Sequence, residues 1–219
     1  MVTAALPGVA AAALAGAAAG LLWLLVLPRL AEPVTDEEKR PYADLATVRL
    51  AMVVAVLAAA GVGLAWARLP VGQQPVWVVL SIVGVLLAAV DGLTTWIPAT
   101  VTRWGWLVMA AAAALMLLLG GSWTDVGRAA AGGLSAGGLY GLVWLLTRGG
   151  FGFGDVRFVP LIGVATASTS WTLWVWALLL GSVLAVAHGL WRQARRTAGL
   201  HPWAPSLLAG AFAALLISP

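Results

Sequence analysis

Apolar stretches of about 20 residues, separated by short polar turns, limit the fold of this chain more than any other feature. A helix needs about that many apolar residues to cross the hydrocarbon of a bilayer. Hydrophobic residues make up 62% of the chain and charged residues 9%, whereas a soluble domain has roughly 25% charged residues. The sequence therefore predicts an all-α fold: a polytopic integral membrane helix bundle that is surrounded by membrane lipid.

We predict about eight spans within a single membrane-embedded domain covering residues 1–219. The sixth span contains the polar run "TASTS" and is predicted to be partial or tilted. The predicted spans are 4–27, 48–67, 74–92, 104–120, 129–147, 157–170, 172–190 and 203–218.

The basic residues are distributed very unevenly over the predicted loops. With eight alternating spans, ten of the twelve Lys and Arg residues fall on one side and only Arg68 and Arg128 on the other. Cytoplasmic loops carry the excess of basic residues, so the side with ten is predicted to be cytoplasmic and both termini to lie outside. The ten residues are Arg29, Lys39, Arg40, Arg49, Arg103, Arg148, Arg157, Arg192, Arg195 and Arg196.

The residue types that are scarce exclude several kinds of chemistry. The chain has no cysteine, which rules out a thiol nucleophile and a thiolate zinc site. Its two histidines, His188 and His201, are too few for a multi-histidine metal site and are interpreted as interfacial residues. We therefore predict no metal and no cofactor. An apolar chain of this kind also offers no nucleic-acid surface, and no feature of the sequence indicates an oligomeric state.

Two of the eight carboxylates stand apart from the others. Five lie in the polar segment 28–48 and are interpreted as a solvated charge run, and Asp125 stands near Arg128. Asp91 ends one apolar run and Asp155 opens another, both at the predicted cytoplasmic boundary. A carboxylate at membrane depth is costly and usually marks a functional site. Each one alone could instead cap a helix or extend into water.

A pair of carboxylates in one desolvated site cannot ionise twice at low cost, so the pair holds one proton. The ionised member can then take a proton from water while the protonated member donates to a carbonyl oxygen, which hydrolyses an amide without a metal. Gly149, Gly150, Gly152 and Gly154 precede Asp155. They are predicted to let an extended substrate backbone approach and to permit positive φ. By itself a Gly-x-Gly-Asp string is a weak signal, since most such strings in soluble proteins are turns.

Three segments in order resemble the type IV prepilin peptidases, bacterial intramembrane aspartyl proteases. "GFGDVRF" (152–158) is similar to the Gly-x-Gly-Asp motif of the family. "DGLTTWIP" (91–98) is similar to its other aspartate segment, and "HPWAPSLLAG" (201–210) to the segment that opens its last helix.

The resemblance implies an endopeptidase that cleaves the leader peptide of prepilin-like precursors at the cytoplasmic face of the bacterial cytoplasmic membrane. It implies that Asp91 and Asp155 are catalytic, with supporting motif residues Gly152, Phe153, Gly154, Arg157 and Pro98.

The chain departs from the family pattern at three places. Arg157 stands where lysine is more common, and Ala204 replaces a glycine. Segment 28–48 is a short loop in the position where larger members carry a cysteine-containing methyltransferase domain. The chain therefore resembles a short form that has only the peptidase.

Other functions remain open at this stage. Presenilin-type and signal-peptide-peptidase-type proteases share Gly-x-Gly-Asp, but their first aspartate follows tyrosine, whereas Val90 precedes Asp91 here. A proton-coupled transporter could use two acids as a relay, although its acids would more often lie at the bilayer midplane. A non-enzymatic assembly scaffold is a third alternative. Arg157 either binds a lipid phosphate or tunes the charge of Asp155.

Overall fold

The computed structural model describes residues 2–32, 40–148, 152–196 and 201–218, with side chains from residue 6 onward. Throughout these ranges the regular structure is helical, with no strand, which confirms the all-α prediction. A π-helical segment, Leu80–Gly84, joins α4 to α5 into one long span. The helices are α1 (Val2–Leu25), α2 (Tyr42–Leu45), α3 (Val48–Arg68), α4 (Gln74–Val79), α5 (Val85–Thr94), α6 (Ala99–Leu118), α7 (Trp123–Leu146), α8 (Phe153–Thr169), α9 (Trp171–Ala194) and α10 (Ala204–Ile217).

A helix occupies each of the eight predicted positions, but only six helical segments of the described chain are long and apolar enough to cross a membrane. The two that fall short are α8, with 17 residues and two charges near its start, and α10, with 14 residues. At 1.5 Å per residue α10 is about 21 Å long, against about 30 Å of hydrocarbon. Its apolar helices therefore indicate a multi-pass membrane protein, and six of the described helical segments are candidate spans.

The polar run "TASTS" forms the last turn of α8 up to Thr169 without breaking the helix, and α8, with 17 residues, is not among the helices long enough to cross a membrane. The Thr166 hydroxyl donates to the Ile162 carbonyl at 2.8 Å, and the Ser168 hydroxyl donates to the Ala165 carbonyl at 2.7 Å. These bonds satisfy the hydroxyl groups within the helix itself, so the helix continues through them in an apolar environment. It ends at Thr169, and the Ser170 side chain then caps α9.

Glycine contacts hold the second half of the bundle together. Gly132 and Gly137 of α7 face α8: a Cβ on Gly132 would lie 2.6 Å from the Gly163 carbonyl oxygen, and one on Gly137 would lie 3.0 Å from Pro160. In the same way, a Cβ on Gly210 of α10 would lie 2.8 Å from the carbonyl of Ala177 in α9. Small residues at such contacts let two backbones pack closely inside a membrane.

Gly132→Ala is expected to destabilise the protein, because the backbone carbonyl of Gly163 cannot move away from an added methyl group. Overpacking of this kind costs about 1–3 kcal/mol. A methyl group added at Gly138 of the same helix would meet no atom within 4 Å, so Gly138→Ala is the matched control. It should be neutral or stabilising by about 0.5–1 kcal/mol through helix propensity. Thermal unfolding in detergent would compare the two, and equal midpoints would contradict the tight contact.

Contacts between loops agree with the predicted alternation of sides. Arg68, at the end of α3, donates to the carbonyl groups of Leu216 and Ser218 near the end of α10. Arg128, in the first part of α7, donates to the Ser168 carbonyl at 3.1 Å and pairs with Asp125. Each of these contacts joins chain segments that the eight-span arrangement places on the outer side.

Segment 28–48 is more ordered than a solvated charge run, in the part that the structure describes. The Trp23 indole donates to the Leu45 carbonyl at 2.7 Å, and the Tyr42 amide donates to a carboxylate oxygen of Glu32 at 3.0 Å. These bonds fold the described ends of the segment back onto the end of α1. The acidic residues Asp36, Glu37 and Glu38 lie outside the described residues.

Candidate active site

Asp91 lies in the last turn of α5 and is almost completely buried, with 3% of its surface exposed. The helix ends at Thr94, and Thr95 then adopts φ 58° while its amide donates to the Asp91 carbonyl. This left-handed residue is unusual for a β-branched side chain. It turns the chain sharply away after Asp91, so the carboxylate stands at the end of the span, as the sequence predicts.

The carboxylate of Asp91 meets the start of α10. The amide of Ala204, the first residue of α10, donates to Asp91 Oδ2 at 3.0 Å, and the bond is buried. Trp203, the residue before the helix, provides no side-chain cap of its own. Amide groups at a helix start have no partner within the helix and need one from elsewhere. Asp91 therefore caps α10 from another span.

The alanine at position 204, which departs from the family glycine, creates no conformational difficulty. Ala204 is a helical residue with its side chain fully buried and is not among the residues with positive φ. A glycine is required only where φ is positive or where a methyl group does not fit. The backbone conformation at position 204 is therefore one that alanine adopts without strain.

Asp155 lies in the first turn of α8 and is also buried, with 6% of its surface exposed. Its amide donates to the Gly152 carbonyl at 3.1 Å, and its Oδ1 atom is buried without a hydrogen-bond partner among the described residues. The negative charge of Asp91 acts on Asp155, so the two carboxylates share one electrostatic environment. The two acids singled out in the sequence therefore lie within electrostatic reach of each other.

Gly152 and Gly154 leave space beside Asp155, as the sequence predicts, but they do so without positive φ. Neither adopts positive φ, and Gly152 has φ −66°. A Cβ on Gly152 would lie 2.8 Å from Asp155 Oδ2, and one on Gly154 would lie 3.1 Å from the Cβ of Ile97. The expectation of positive φ is therefore wrong for these two residues, which are glycine because of the space around them. Gly149 and Gly150 lie outside the described residues.

Pro98 fixes the turn that brings the two motifs into contact. It precedes α6, and its carbonyl accepts from the Thr102 amide at 3.1 Å and from the Thr102 hydroxyl at 2.9 Å. The neighbouring Ile97 is buried against Gly154. The "DGLTTWIP" segment and the Gly-x-Gly-Asp motif thus touch through Ile97, which the sequence analysis did not single out.

Phe153 and Arg157 form a separate group near the start of α8. They are four residues apart and share a helix face, with the Arg157 guanidinium 5.3 Å from the Phe153 ring centroid. Phe153 is 50% exposed and contacts Trp144 of α7 at 5.1 Å between ring centroids. The Arg157 side chain thus lies along the Phe153 ring. The prediction that Arg157 tunes the charge of Asp155 by pairing with it directly therefore gains no support. Binding of a lipid phosphate by Arg157 stays a prediction.

Tyr140 is a further neighbour of the site that the sequence analysis missed. It is buried in α7, and Asp155 lies within electrostatic reach of its hydroxyl. The hydroxyl bonds to Ser182 Oγ of α9 at 2.8 Å, and Ser182 in turn donates to the Leu178 carbonyl at 2.7 Å. Tyr140 could have been found from its spacing, since it lies seven residues after Gly133 on the face that packs against α8.

The described residues contain no group of three His, Cys, Asp or Glu side chains that could hold a metal. His188 and His201 pack edge to face with ring centroids 4.6 Å apart. The Nε2–H group of His201 donates to the Ala185 carbonyl at 2.9 Å, and burial lowers the pKa of this imidazole. The pair thus serves to join α9 to the segment that precedes α10.

Two buried carboxylates on separate helices, with different hydrogen-bond surroundings and within electrostatic reach of each other, are suited to general acid–base chemistry. Aligning the chain with family models, with curated proteins and with solved structures gave no match in any of the three comparisons.

Proposed function

We propose that this protein is an intramembrane aspartyl endopeptidase that cleaves the leader peptide of type IV prepilin-like precursors at the cytoplasmic face of the bacterial cytoplasmic membrane. The observation that carries the proposal is the burial of Asp91 and Asp155 in one electrostatic environment. A buried carboxylate pair in a membrane protein is costly and is retained for function. Pairing at the ends of two helices favours a boundary site over a midplane relay.

The surroundings of the pair support hydrolysis of a peptide. Asp155 is buried and its Oδ1 atom has no hydrogen-bond partner among the described residues, which suits a carboxyl group that must hold and release a proton. The contact between Ile97 and Gly154 holds the two aspartate segments against each other. A peptide bond cleaved here must be in an extended segment, because a helix hides its amide groups in its own hydrogen bonds. The residue after a short leader, at the start of a hydrophobic helix, meets that requirement.

The proposal is tested by incubating the purified protein, reconstituted in liposomes, with a purified prepilin-like precursor. We expect one cut between the leader and the hydrophobic helix, identified by the masses of the two products. A set of type I membrane proteins with ordinary signal sequences provides the control. Cleavage of those controls within the membrane, with the precursor left intact, would favour the presenilin type instead. Proton flux across the liposomes without any cleavage would favour a transporter.

The cleaved product is expected to carry a free N-terminal amine, even when S-adenosylmethionine is present. Segment 28–48 is too short for a folded methyltransferase domain and contains no cysteine. Cleavage should also survive a metal chelator, since the proposed chemistry uses only carboxyl groups. Mass spectrometry measures both results. A mass gain of one methyl group, or loss of activity that a metal restores, would contradict this prediction.

A further inference from the structure

The two carboxylates of the candidate site have different hydrogen-bond surroundings. Asp91 Oδ2 accepts the buried amide of Ala204, whereas Asp155 Oδ1 is buried without a partner among the described residues. A hydrogen bond from an amide stabilises an ionised carboxylate more than a protonated one. A buried oxygen that lacks a donor is instead poorly placed to carry charge, since nothing replaces the water that it has lost.

The position of Ala204 makes its amide the main donor that α10 offers to Asp91. The start of a helix carries a partial positive charge from its aligned peptide dipoles, and α10 has enough residues to develop one. Pro205 has no amide hydrogen, so the first turn of α10 directs few donors besides that of Ala204. Asp155, in the first turn of α8, receives a similar field from its own helix, so the buried hydrogen bond from Ala204 is what distinguishes Asp91 from Asp155.

We propose that Asp91 is the ionised member of the pair and acts as the general base, while Asp155 holds the proton and acts as the general acid. The amide of Ala204 is then a positioning group that keeps the charge on Asp91. This inference rests on the proposed function and adds to it a division of roles between the two residues.

The assignment gives a balanced reaction. Asp91 takes a proton from water while the water oxygen bonds to the carbonyl carbon of the substrate, and Asp155 gives its proton to the carbonyl oxygen. This forms a neutral geminal diol. Asp91 then gives its proton to the amide nitrogen as the carbon–nitrogen bond breaks, and Asp155 recovers a proton from one diol hydroxyl. The products are a carboxylic acid and an amine, and both aspartates return to their starting states.

Infrared spectroscopy of the purified protein tests the assignment without a substrate. At neutral pH we expect a carbonyl stretching band of a protonated carboxylic acid, which shifts in heavy water. The band should disappear in Asp155→Asn and remain in Asp91→Asn. Absence of the band from the unmodified protein would overturn the assignment, as would a band that persists in Asp155→Asn.

A single-atom change tests the role of the Ala204 amide. Incorporating lactic acid at position 204 replaces the N–H group with an ester oxygen and preserves the methyl group. Because a hydrogen bond to a charged group is lost, Asp91 should bind its proton more tightly. The acidic limb of the pH–rate profile should then move to higher pH by about one unit. The same change at Ala99, the first residue of α6, is the matched control and should leave the limb in place.

An acidic limb that does not move with the ester at position 204, or a shift of the alkaline limb instead, would overturn the role of Ala204. The two proposals fail in different ways. If the unmodified protein cleaves no precursor, the proposed function fails, while the infrared comparison still determines which carboxyl group holds the proton.

Discussion

Asp91→Asn and Asp155→Asn are each expected to reduce cleavage of a prepilin-like precursor by at least about 10⁴-fold, because each removes one half of the proton exchange. Asparagine is the appropriate replacement at position 91, since its carbonyl oxygen can still accept the Ala204 amide and keep α10 capped. The measurement is the initial rate of cleavage in liposomes. The amount of inserted protein and its circular dichroism show whether the fold is preserved.

The double variant should be about as slow as the slower single variant, because groups that act as a unit are strongly non-additive. Asp125→Asn provides the matched control: Asp125 caps its own helix and pairs with Arg128, far along the chain from either aspartate segment. It should cleave at the normal rate. Full activity of either single variant would remove that residue from the site, and additive losses would mean that the two aspartates do not share one.

Gly152→Ala is expected to reduce the rate of cleavage by about 10²-fold while the protein stays folded. The added methyl group would lie 2.8 Å from Asp155 Oδ2, so the carboxyl group must move by a fraction of an ångström or more. A displacement of about 1 Å in a catalytic group can cost 10²-fold in rate. The single-turnover rate at saturating precursor measures the effect, because it separates the chemical step from binding.

Gly141→Ala is the control for this change. A methyl group at Gly141 would meet Val156 of α8 at 3.8 Å, an ordinary contact distance, so the rate should be unchanged and the stability unchanged or raised by about 0.5–1 kcal/mol. Unchanged activity of Gly152→Ala would show that the space beside Oδ2 is not needed. A larger loss of rate in Gly141→Ala than in Gly152→Ala would show that the tight contact lies elsewhere.

The positions of the helices could be predicted because apolar length is a property of the sequence alone, and the structure has a helix at each predicted place. The two aspartates could be singled out for a similar reason, since a charged residue is conspicuous in an apolar chain. The number of spans is harder to predict, because α8 and α10 are short and pack against neighbouring helices. Hydropathy is calculated from one segment at a time and does not include such packing.

The amide of Ala204 could not be predicted, because every residue except proline has the same backbone donor and only the fold selects one of them. For Gly152 the sequence predicts both space beside Asp155 and positive φ, and only the need for space agrees with the structure. Glycine satisfies either a need for positive φ or a need for space, and the sequence does not distinguish these. The continuity of α8 as far as Thr169 depends on the hydroxyl groups of Thr166 and Ser168, which bond back to their own helix, whereas polarity alone indicates an interruption there.

The close contact of Gly132 with α8 bears on the biogenesis of the protein. An aspartate or arginine raises the cost of releasing a helix from the translocon into lipid, by about 2.5–3.5 kcal/mol at the helix centre and by less near an end. With Asp155 and Arg157 near its start, α8 is a poor candidate for release by itself. The preceding α7 meets the length and composition of a span and presents its glycine face to α8. We therefore expect the two helices to leave the translocon as a hairpin, so that the second aspartate reaches its depth in the bilayer only when α7 is already there.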